Sequence, residues 1–283
     1  MGLSLLALAV GAAGCDTSFE PYAQADQYYS VFALLDATER RQWVRVEPLQ
    51  DGRPRGADST IEATVALERL PDGPQAMLEP RRAEYVEGFA HNFLAQMDLA
   101  LGERYRLTVR RSDEEASTAT VAMPQDVPAL SLLGPRGLRA AIEGGTEDRL
   151  FFVNVTYDLL VDPEDPPAPA PPLEERPETL TAQYVGRATR TETGYAVSFD
   201  WAKDVRPPYE GTGSAVTLTG LSVEVALVSR EAPDYEGRSY EELFRVGVAP
   251  SNVKNGYGLV AGVTSDSASV VIPPADRPPS IVP

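Results

Sequence analysis

The chain carries a single His and a single Cys, which restricts the nucleophilic and metal chemistry open to it. His91 lies in the apolar stretch Gly88–Leu94, and the sequence contains no Gly-x-Ser-x-Gly nucleophile elbow. Acyl transfer needs a nucleophile beside a base, so we interpret His91 as a packed, hydrogen-bonded side chain rather than a catalytic one. One Cys also excludes a Cys-rich zinc site. We therefore expect no catalytic residue, no metal site and no cofactor.

Aromatic side chains are the strongest candidates for contact with a ligand. Trp201 precedes the proline-containing segment Lys203–Gly213, and Tyr209 lies within it. The composition of this segment predicts a loop. Such rings stack on sugars or peptides, and Trp43 has the same capacity. The alternative for all three is packing in a core or at its rim.

Carboxylates are abundant, but their spacing specifies no site. Asp113–Glu115 falls on a predicted turn, and Asp162–Asp165 lies among prolines without the spacing of a calcium loop. Two carboxylates held close together can hydrolyse a glycosidic bond. With 42 Asp and Glu residues, the sequence alone nominates no such pair.

Cys15 has a clearer chemical context than any other reactive residue. Leu3–Ala13 is an uncharged, mostly apolar run, too short to span a membrane, and Ala12-Ala13-Gly14 precedes the Cys. This arrangement resembles a bacterial lipoprotein box, in which the Cys sulfur receives a diacylglycerol and becomes the first mature residue. We predict a signal peptide at 1–14, followed by lipidated Cys15 and a polar tether at 15–27.

Charge and size narrow the function classes further. The 25 Lys and Arg residues against 42 Asp and Glu give a net charge of −17 over 283 residues. Nucleic-acid binding needs clustered cations, so this balance argues against it. Solubility is the simplest interpretation of the charge, and binding of a cation or a cationic ligand is the alternative.

The elements that must position these residues are mostly strands. Tyr105, Leu107 and Val109 alternate with Arg104, Arg106, Thr108 and Arg110, and a period of two places one set on a core and the other in water. Strands are also predicted in five other segments, one of which could instead be a helix (Glu84–Met97). The rest are Tyr29–Leu35, Gln42–Leu49, Ile61–Glu68 and Ser117–Met123, the last forming a hairpin with 104–110. Residues 28–126 are therefore predicted to form an immunoglobulin-like β-sandwich.

A second β-rich domain is predicted over 129–273, after a boundary at Pro124–Pro128 and before a tail at 274–283. It contains a proline-rich loop at 162–177 and one short helix, capped by Ser239 and stopped at Gly247. Its predicted strands are Leu150–Leu160, Thr179–Thr189, Gly194–Asp200, Val216–Ser229 and Tyr257–Val263, the last entered through an Asn255-Gly256 turn. The fold class is thus mainly β.

A lipoprotein box, a Gly-Glu-Arg-Tyr-Arg-Leu-Thr-Val strand and a late Asn-Val-x-Asn-Gly-x-Gly segment occur in that order. This order resembles an uncharacterised family of Bacteroidota-type envelope lipoproteins, classed as a domain of unknown function. Asn252, Val253, Asn255, Gly256 and Gly258 occupy the positions of that C-terminal signature. In that family a Tyr-containing helix comes before the signature, and Tyr240 with Phe244 would match it. The resemblance implies an anchored envelope protein, in some cases encoded beside outer-membrane receptors, without established enzymatic activity.

Three hypotheses follow from the sequence. The first is a non-catalytic cell-envelope lipoprotein, held at the outer membrane by Cys15 and acting as an accessory or interaction subunit for a receptor or another envelope protein. The second is a glycan- or ligand-binding module that uses Trp201 and Tyr209. The third is a hydrolase with a carboxylate pair.

Overall fold

The structure is a computed structural model that describes residues 29–50, 53–54, 61–85, 88–111, 116–134, 136–145, 147–162, 176–210, 214–233 and 251–282. Four sequence predictions lie wholly or mostly outside those residues. They are Cys15 with its signal peptide and tether, the turn Asp113–Glu115, the proline-rich loop at 162–177 and the helix at Ser239–Gly247.

Seventeen strands and one α-helix account for most of the described residues. The strands before the predicted boundary are β1 Tyr29–Asp36, β2 Arg41–Gln50, β3 Arg53–Pro54, β4 Thr64–Leu70, β5 Gln75–Met77, β6 Glu79–Tyr85, β7 Gly88–Gln96, β8 Arg104–Arg110 and β9 Ser117–Ala122. The elements after it are β10 Ala129–Leu133, β11 Arg139–Glu143, β12 Arg149–Asp162, β13 Arg176–Gln183, β14 Thr189–Arg190, β15 Gly194–Ser198, α1 Trp201–Tyr209, β16 Ala215–Val228 and β17 Tyr257–Val271. The prediction of a mainly β chain is confirmed.

One long sheet runs through both predicted regions. Its strand order is β13-β12-β16-β17-β1-β2-β7-β6, with β3 beside β2. Strand β17 joins the two parts because 257–263 pair in parallel with β1, whereas 263–271 pair antiparallel with β16. The boundary at Pro124–Pro128 separates β9 from β10 along the chain, but the backbone ladder is continuous across β17.

Gly258 makes the approach of β17 to β1 possible. Its φ is +128°, and a Cβ at this position would lie 2.0 Å from the Val31 carbonyl oxygen. Only glycine tolerates both that backbone conformation and that close approach. Strand pairing therefore explains Gly258, the last glycine of the Asn-Val-x-Asn-Gly-x-Gly segment.

The first core lies between β1, β2 and β7 of the long sheet and the four-stranded sheet β5-β4-β8-β9. Tyr105, Leu107 and Val109 of β8 are buried in it, and Arg104, Arg106 and Arg110 are exposed, so the alternation predicted for this strand is confirmed. The predicted hairpin is also confirmed, because β8 pairs antiparallel with β9. The ambiguous segment Glu84–Met97 contributes to the strand pair β6 and β7.

The second core lies between β12 and β16 of the long sheet and the four-stranded sheet β10-β11-β15-β14, with α1 at its side. Its buried aromatic side chains include Tyr157, Tyr184, Phe199 and Trp201. A third, smaller cluster covers the opposite face of the long sheet, where Phe32 of β1 and Phe151 and Phe152 of β12 are buried. Because of this cluster, β1 is buried on both faces over most of its length.

The segment predicted as the loop Lys203–Gly213 is in fact mostly helical, as α1 ends at Tyr209. Asp200 caps the helix, since its side chain accepts a hydrogen bond from the Lys203 backbone N–H at 3.3 Å. Pro207 and Pro208, which favoured a loop in the sequence, lie in the last turn of this nine-residue helix. Each of these prolines removes one hydrogen bond to the carbonyl four residues earlier, but the segment stays helical, with its N-cap at Asp200 and with Val205 packed in the core.

Candidate functional site

The structure places the predicted ligand-stacking pair against the second core. Trp201 is only 6% exposed, so its ring is closed to a ligand, and the alternative of core packing holds for it. Tyr209, at the end of α1, is partly exposed, and its hydroxyl donates a hydrogen bond to the Glu178 carboxylate. Burial, and then that hydrogen bond, raise the pKa of Tyr209 to about 12. The two rings therefore do not form an open aromatic surface.

A buried polar cluster lies beneath α1, and sequence reasoning did not identify it. Asp204, in the first turn of the helix, accepts hydrogen bonds at Oδ2 from the hydroxyls of Tyr157, at 2.8 Å, and Tyr184. Arg187 approaches the other carboxylate oxygen at 3.3 Å, and its guanidinium lies 4.8 Å from the centre of the Tyr184 ring. We call Tyr157, Tyr184, Arg187 and Asp204 the tyrosine–aspartate cluster.

The environment of this cluster keeps both tyrosines protonated. Burial is the first cause that raises the pKa of Tyr157, and hydrogen bonding to Tyr184 and Asp204 adds to it. Burial and the Asp204 hydrogen bond raise the pKa of Tyr184 as well. A tyrosine held neutral donates a hydrogen bond to a carboxylate and is a poor base or nucleophile. The cluster therefore fastens the helix to the sheet rather than providing reactive groups.

His91 is buried beside Glu47, as the packed interpretation of this residue predicted. Its Nδ1 lies 3.5 Å from Glu47 Oε2, and its backbone N–H donates to Oε1 at 3.3 Å. Arg45 Nε contacts the same carboxylate at 3.1 Å. Glu47 thus joins β2 to β7 through both backbone and side-chain contacts.

The Asn-Val-x-Asn-Gly-x-Gly segment has a structural role in the described part of the chain. The Asn252 amide forms two hydrogen bonds with the Val260 backbone, at 2.7 and 2.9 Å, as a neighbouring strand would. Lys254 exchanges two backbone hydrogen bonds with Thr118 of β9, at 2.9 and 2.7 Å. Val253 packs into the first core. The motif therefore attaches the start of β17 to the first sandwich.

A concave surface lies on the outer face of the sheet β5-β4-β8-β9, with a volume of about 360 Å³. We call it the arginine groove, and it is lined by Thr64, Ala66, Glu68, Gln75, Met77, Arg106, Thr108 and Arg110. Its floor is low because the small residues Ala66 and Thr108 pair across β4 and β8. Met77, 60% exposed, borders the floor from β5, and the arginines stand on β8.

Trp43 is an exposed aromatic side chain of the first region. It lies on β2, on the face opposite Val44 and Val46 of the first core, and is 47% exposed. Arg41 and Arg45 are its exposed neighbours on the same face, and Leu94 is paired with it across β7. Sequence reasoning gives this tryptophan the same two interpretations as Trp201, although its alternation with Val44 and Val46 is the signal that could have distinguished the two.

The hydrolase and metal hypotheses both require carboxylates that lie close together. Asp148 is buried, and its Oδ2 accepts backbone hydrogen bonds from Gln125 at 2.8 Å and Asp126 at 3.2 Å. Burial raises its pKa, and its contacts fasten the connection between the two regions. Among the described residues, no three His, Cys, Asp or Glu side chains are grouped so that they could hold a metal ion.

The helix found in the described ranges is not long and apolar enough to cross a membrane. No protein-family model matches the chain, and no curated protein matches it. The resemblance to the envelope lipoprotein family accordingly stays a prediction.

Proposed function

We propose that the chain is a non-catalytic lipoprotein of the cell envelope, anchored at the outer membrane through Cys15, and that it acts as an interaction subunit for another envelope protein. The observation that carries the proposal is the apolar run Leu3–Ala13 followed by small residues and the single Cys. The β-rich body supports it, because exposed sheet faces such as the arginine groove are suited to contact with a partner.

Anchoring follows from the chemistry of the lipidated cysteine. Each buried CH₂ of an acyl chain contributes about 0.8 kcal/mol, so more than one chain is needed for stable attachment. Residues 16–27 would then separate the membrane from β1, and twelve residues reach at most about 40 Å when extended. The body would therefore stay close to the membrane surface while remaining free to rotate.

The test of anchoring is the substitution Cys15→Ala followed by cell fractionation and labelling with a fatty-acid analogue. We expect the unchanged chain to be labelled and to sediment with membranes, and the variant to lose both properties. Ser18→Ala, which leaves the thiol in place, is the matched control. Unchanged membrane retention of the Cys15→Ala chain would reject the anchor.

Glycan binding is the second candidate function, and the exposed ring of Trp43 favours it. A half-exposed tryptophan flanked by Arg41 and Arg45 can stack on a sugar face while the guanidiniums donate to hydroxyls. Calorimetric titration against a panel of polysaccharides tests this, with Trp43→Ala as the variant. Flat titrations of the unchanged chain would remove the candidate.

A further inference from the structure

We propose that the arginine groove binds an extended acidic segment of a protein partner. The inference rests on the proposed interaction function and specifies the chemistry of the partner. Three features of the groove support this partner: its charge, the spacing of its cations and the shape of its floor.

The charge of the groove is opposite to that of the whole chain, which carries −17. Arg104, Arg106 and Arg110 lie on the outer face of β8. Arg104 already forms an ion pair with Glu231, with 2.7 Å between Nη2 and Oε2. Arg106 has only a loose contact of 3.9 Å to Glu68. Arg110 forms no ion pair with any residue that the structure describes. Two guanidiniums are thus available to a ligand, and this group binds carboxylates through two parallel hydrogen bonds.

The spacing of these cations fits an extended peptide. Arg106 and Arg110 are four residues apart on one strand, and therefore about 13 Å apart. An extended peptide presents residues i and i+4 on one face at the same distance, so two acidic side chains can reach both arginines together. The residue between them, i+2, would face Thr108 and Ala66.

The shape of the floor selects the central residue of that peptide. Ala66 and Thr108 leave a depression, and the Met77 side chain, 60% exposed, borders it. Thioether side chains adapt to apolar groups of different shapes. The groove therefore fits the pattern acidic–x–apolar–x–acidic, with the peptide parallel or antiparallel to β8.

The experiment measures fluorescence anisotropy with the full chain carrying Cys15→Ala, so that lipidation does not enter the result. The probe is a fluorescein-labelled peptide, Gly-Asp-Gly-Leu-Gly-Asp-Gly. A permuted peptide with adjacent aspartates and an oligogalacturonate serve as competitors. We expect the spaced peptide to bind most tightly, and its affinity to fall as salt rises from 0.05 to 0.5 M, a range over which screening of exposed charges becomes strong.

Arg106→Gln and Arg110→Gln should each weaken binding about tenfold, which is the effect of losing one charge-assisted contact. Met77→Ser should weaken it by a smaller factor. Arg139→Gln is the matched control, because Arg139 is exposed on β11 of the other four-stranded sheet, and we expect no change. Thermal melting of each variant verifies that it is folded.

Three outcomes would overturn the proposal. Equal affinity for the spaced and permuted peptides would reject the spacing argument. Equal loss with Arg139→Gln would indicate general attraction to arginine. Tighter binding of oligogalacturonate than of the peptide would assign the groove to acidic glycans instead. None of these outcomes affects the anchor, which the fractionation experiment tests separately.

Discussion

The two regions of the molecule are built on the same plan but close their cores differently. In the first, part of the long sheet faces β5-β4-β8-β9, and the buried tyrosine Tyr105 accepts a hydrogen bond from the Ala100 backbone at 2.8 Å. In the second, α1 helps to cover the core and brings Asp204 inside, where its side chain is 8% exposed. That carboxylate is satisfied by two tyrosine hydroxyls and Arg187.

The difference shows how a helix changes the demands on a β core. Strands satisfy their backbone groups by pairing, so a core closed by sheets can be almost entirely apolar. A short amphipathic helix places side chains at the boundary, and a charge drawn inward requires several partners because an unpaired buried charge is strongly unfavourable. The second core therefore includes a specific polar cluster, whereas the first core is mainly apolar, and the buried Glu47 carboxylate of the first region lies on the face of β2 opposite to it.

The two tryptophans provide the largest contrast between the regions. Trp201→Ala should lower the free energy of unfolding by about 3–5 kcal/mol, because it empties a large volume in the second core. Trp43→Ala should lower it by about 1 kcal/mol or less, because that ring already lies half in water. Urea denaturation followed by circular dichroism measures both values.

Similar losses for the two variants would contradict this contrast and would mean that Trp43 is covered in solution. Leu132→Ala, a partly buried position at the edge of the second core, is a control with an intermediate expected loss.

Asp204→Asn tests whether the second region depends on its polar cluster. The amide keeps the shape of the side chain but loses the charge that strengthens both tyrosine hydrogen bonds, so we expect a loss of about 1–3 kcal/mol in unfolding free energy. Asp200→Asn is the matched control, because Asn caps a helix as well as Asp does, and its loss should stay below about 0.5 kcal/mol. Equal losses would show that the capping of α1, and not the cluster, limits stability.

Sequence patterns predicted the strands of the first region well and the joining of the regions poorly. The alternation of Tyr105, Leu107 and Val109 marked β8, and also the outward arginines of the groove. The parallel pairing of β1 with β17 leaves no periodic signal, because the partners are more than 200 residues apart in the chain. The second half of β17 was missed because its residues from Thr264 to Ser269 are largely polar.

Sequence patterns also predicted the candidate sites poorly, because these sites depend on tertiary packing. The proline-containing composition of Lys203–Gly213 predicted a loop, so α1 was not predicted. Trp201 was a candidate for ligand contact with core packing as its alternative, and the alternative is what the structure shows. The tyrosine–aspartate cluster joins residues from β12, the segment that follows β13, and α1. Such a combination depends on tertiary packing, and no local spacing identifies it.

Alkaline pH should weaken the second region through Tyr157. Its pKa is raised in the folded chain, so it stays protonated, whereas in the unfolded chain it ionises near its ordinary value of about 10. The unfolded state then holds fewer protons, and stability is present below pH 10 and falls as the pH rises above it. Tyr157→Phe should be less stable at pH 7 by about 1 kcal/mol, and this difference should shrink by pH 11.

Unfolding free energies measured at pH 7, 9, 10 and 11 test this prediction. The key result is the slope above pH 10, where one tyrosine contributes at most about 1.4 kcal/mol per pH unit. Parallel curves for the two proteins would show that Tyr157 does not control the alkaline loss.

The smallest effect is expected where side chains, rather than strands, connect the two regions. Arg104 of β8 donates from Nη2 to both carboxylate oxygens of Glu231, which follows β16, at 2.7 and 2.8 Å, but both side chains are 58% exposed. Water and salt screen such a pair, so Glu231→Gln should change the unfolding free energy by about 0.5 kcal/mol or less. A double-mutant cycle with Arg104→Gln isolates the coupling between the two side chains. A coupling free energy well above about 1 kcal/mol would mean that this surface contact holds the regions together. A negligible value leaves that role to the backbone hydrogen bonds between β17 and β1, which Gly258 permits by allowing the two strands to approach closely.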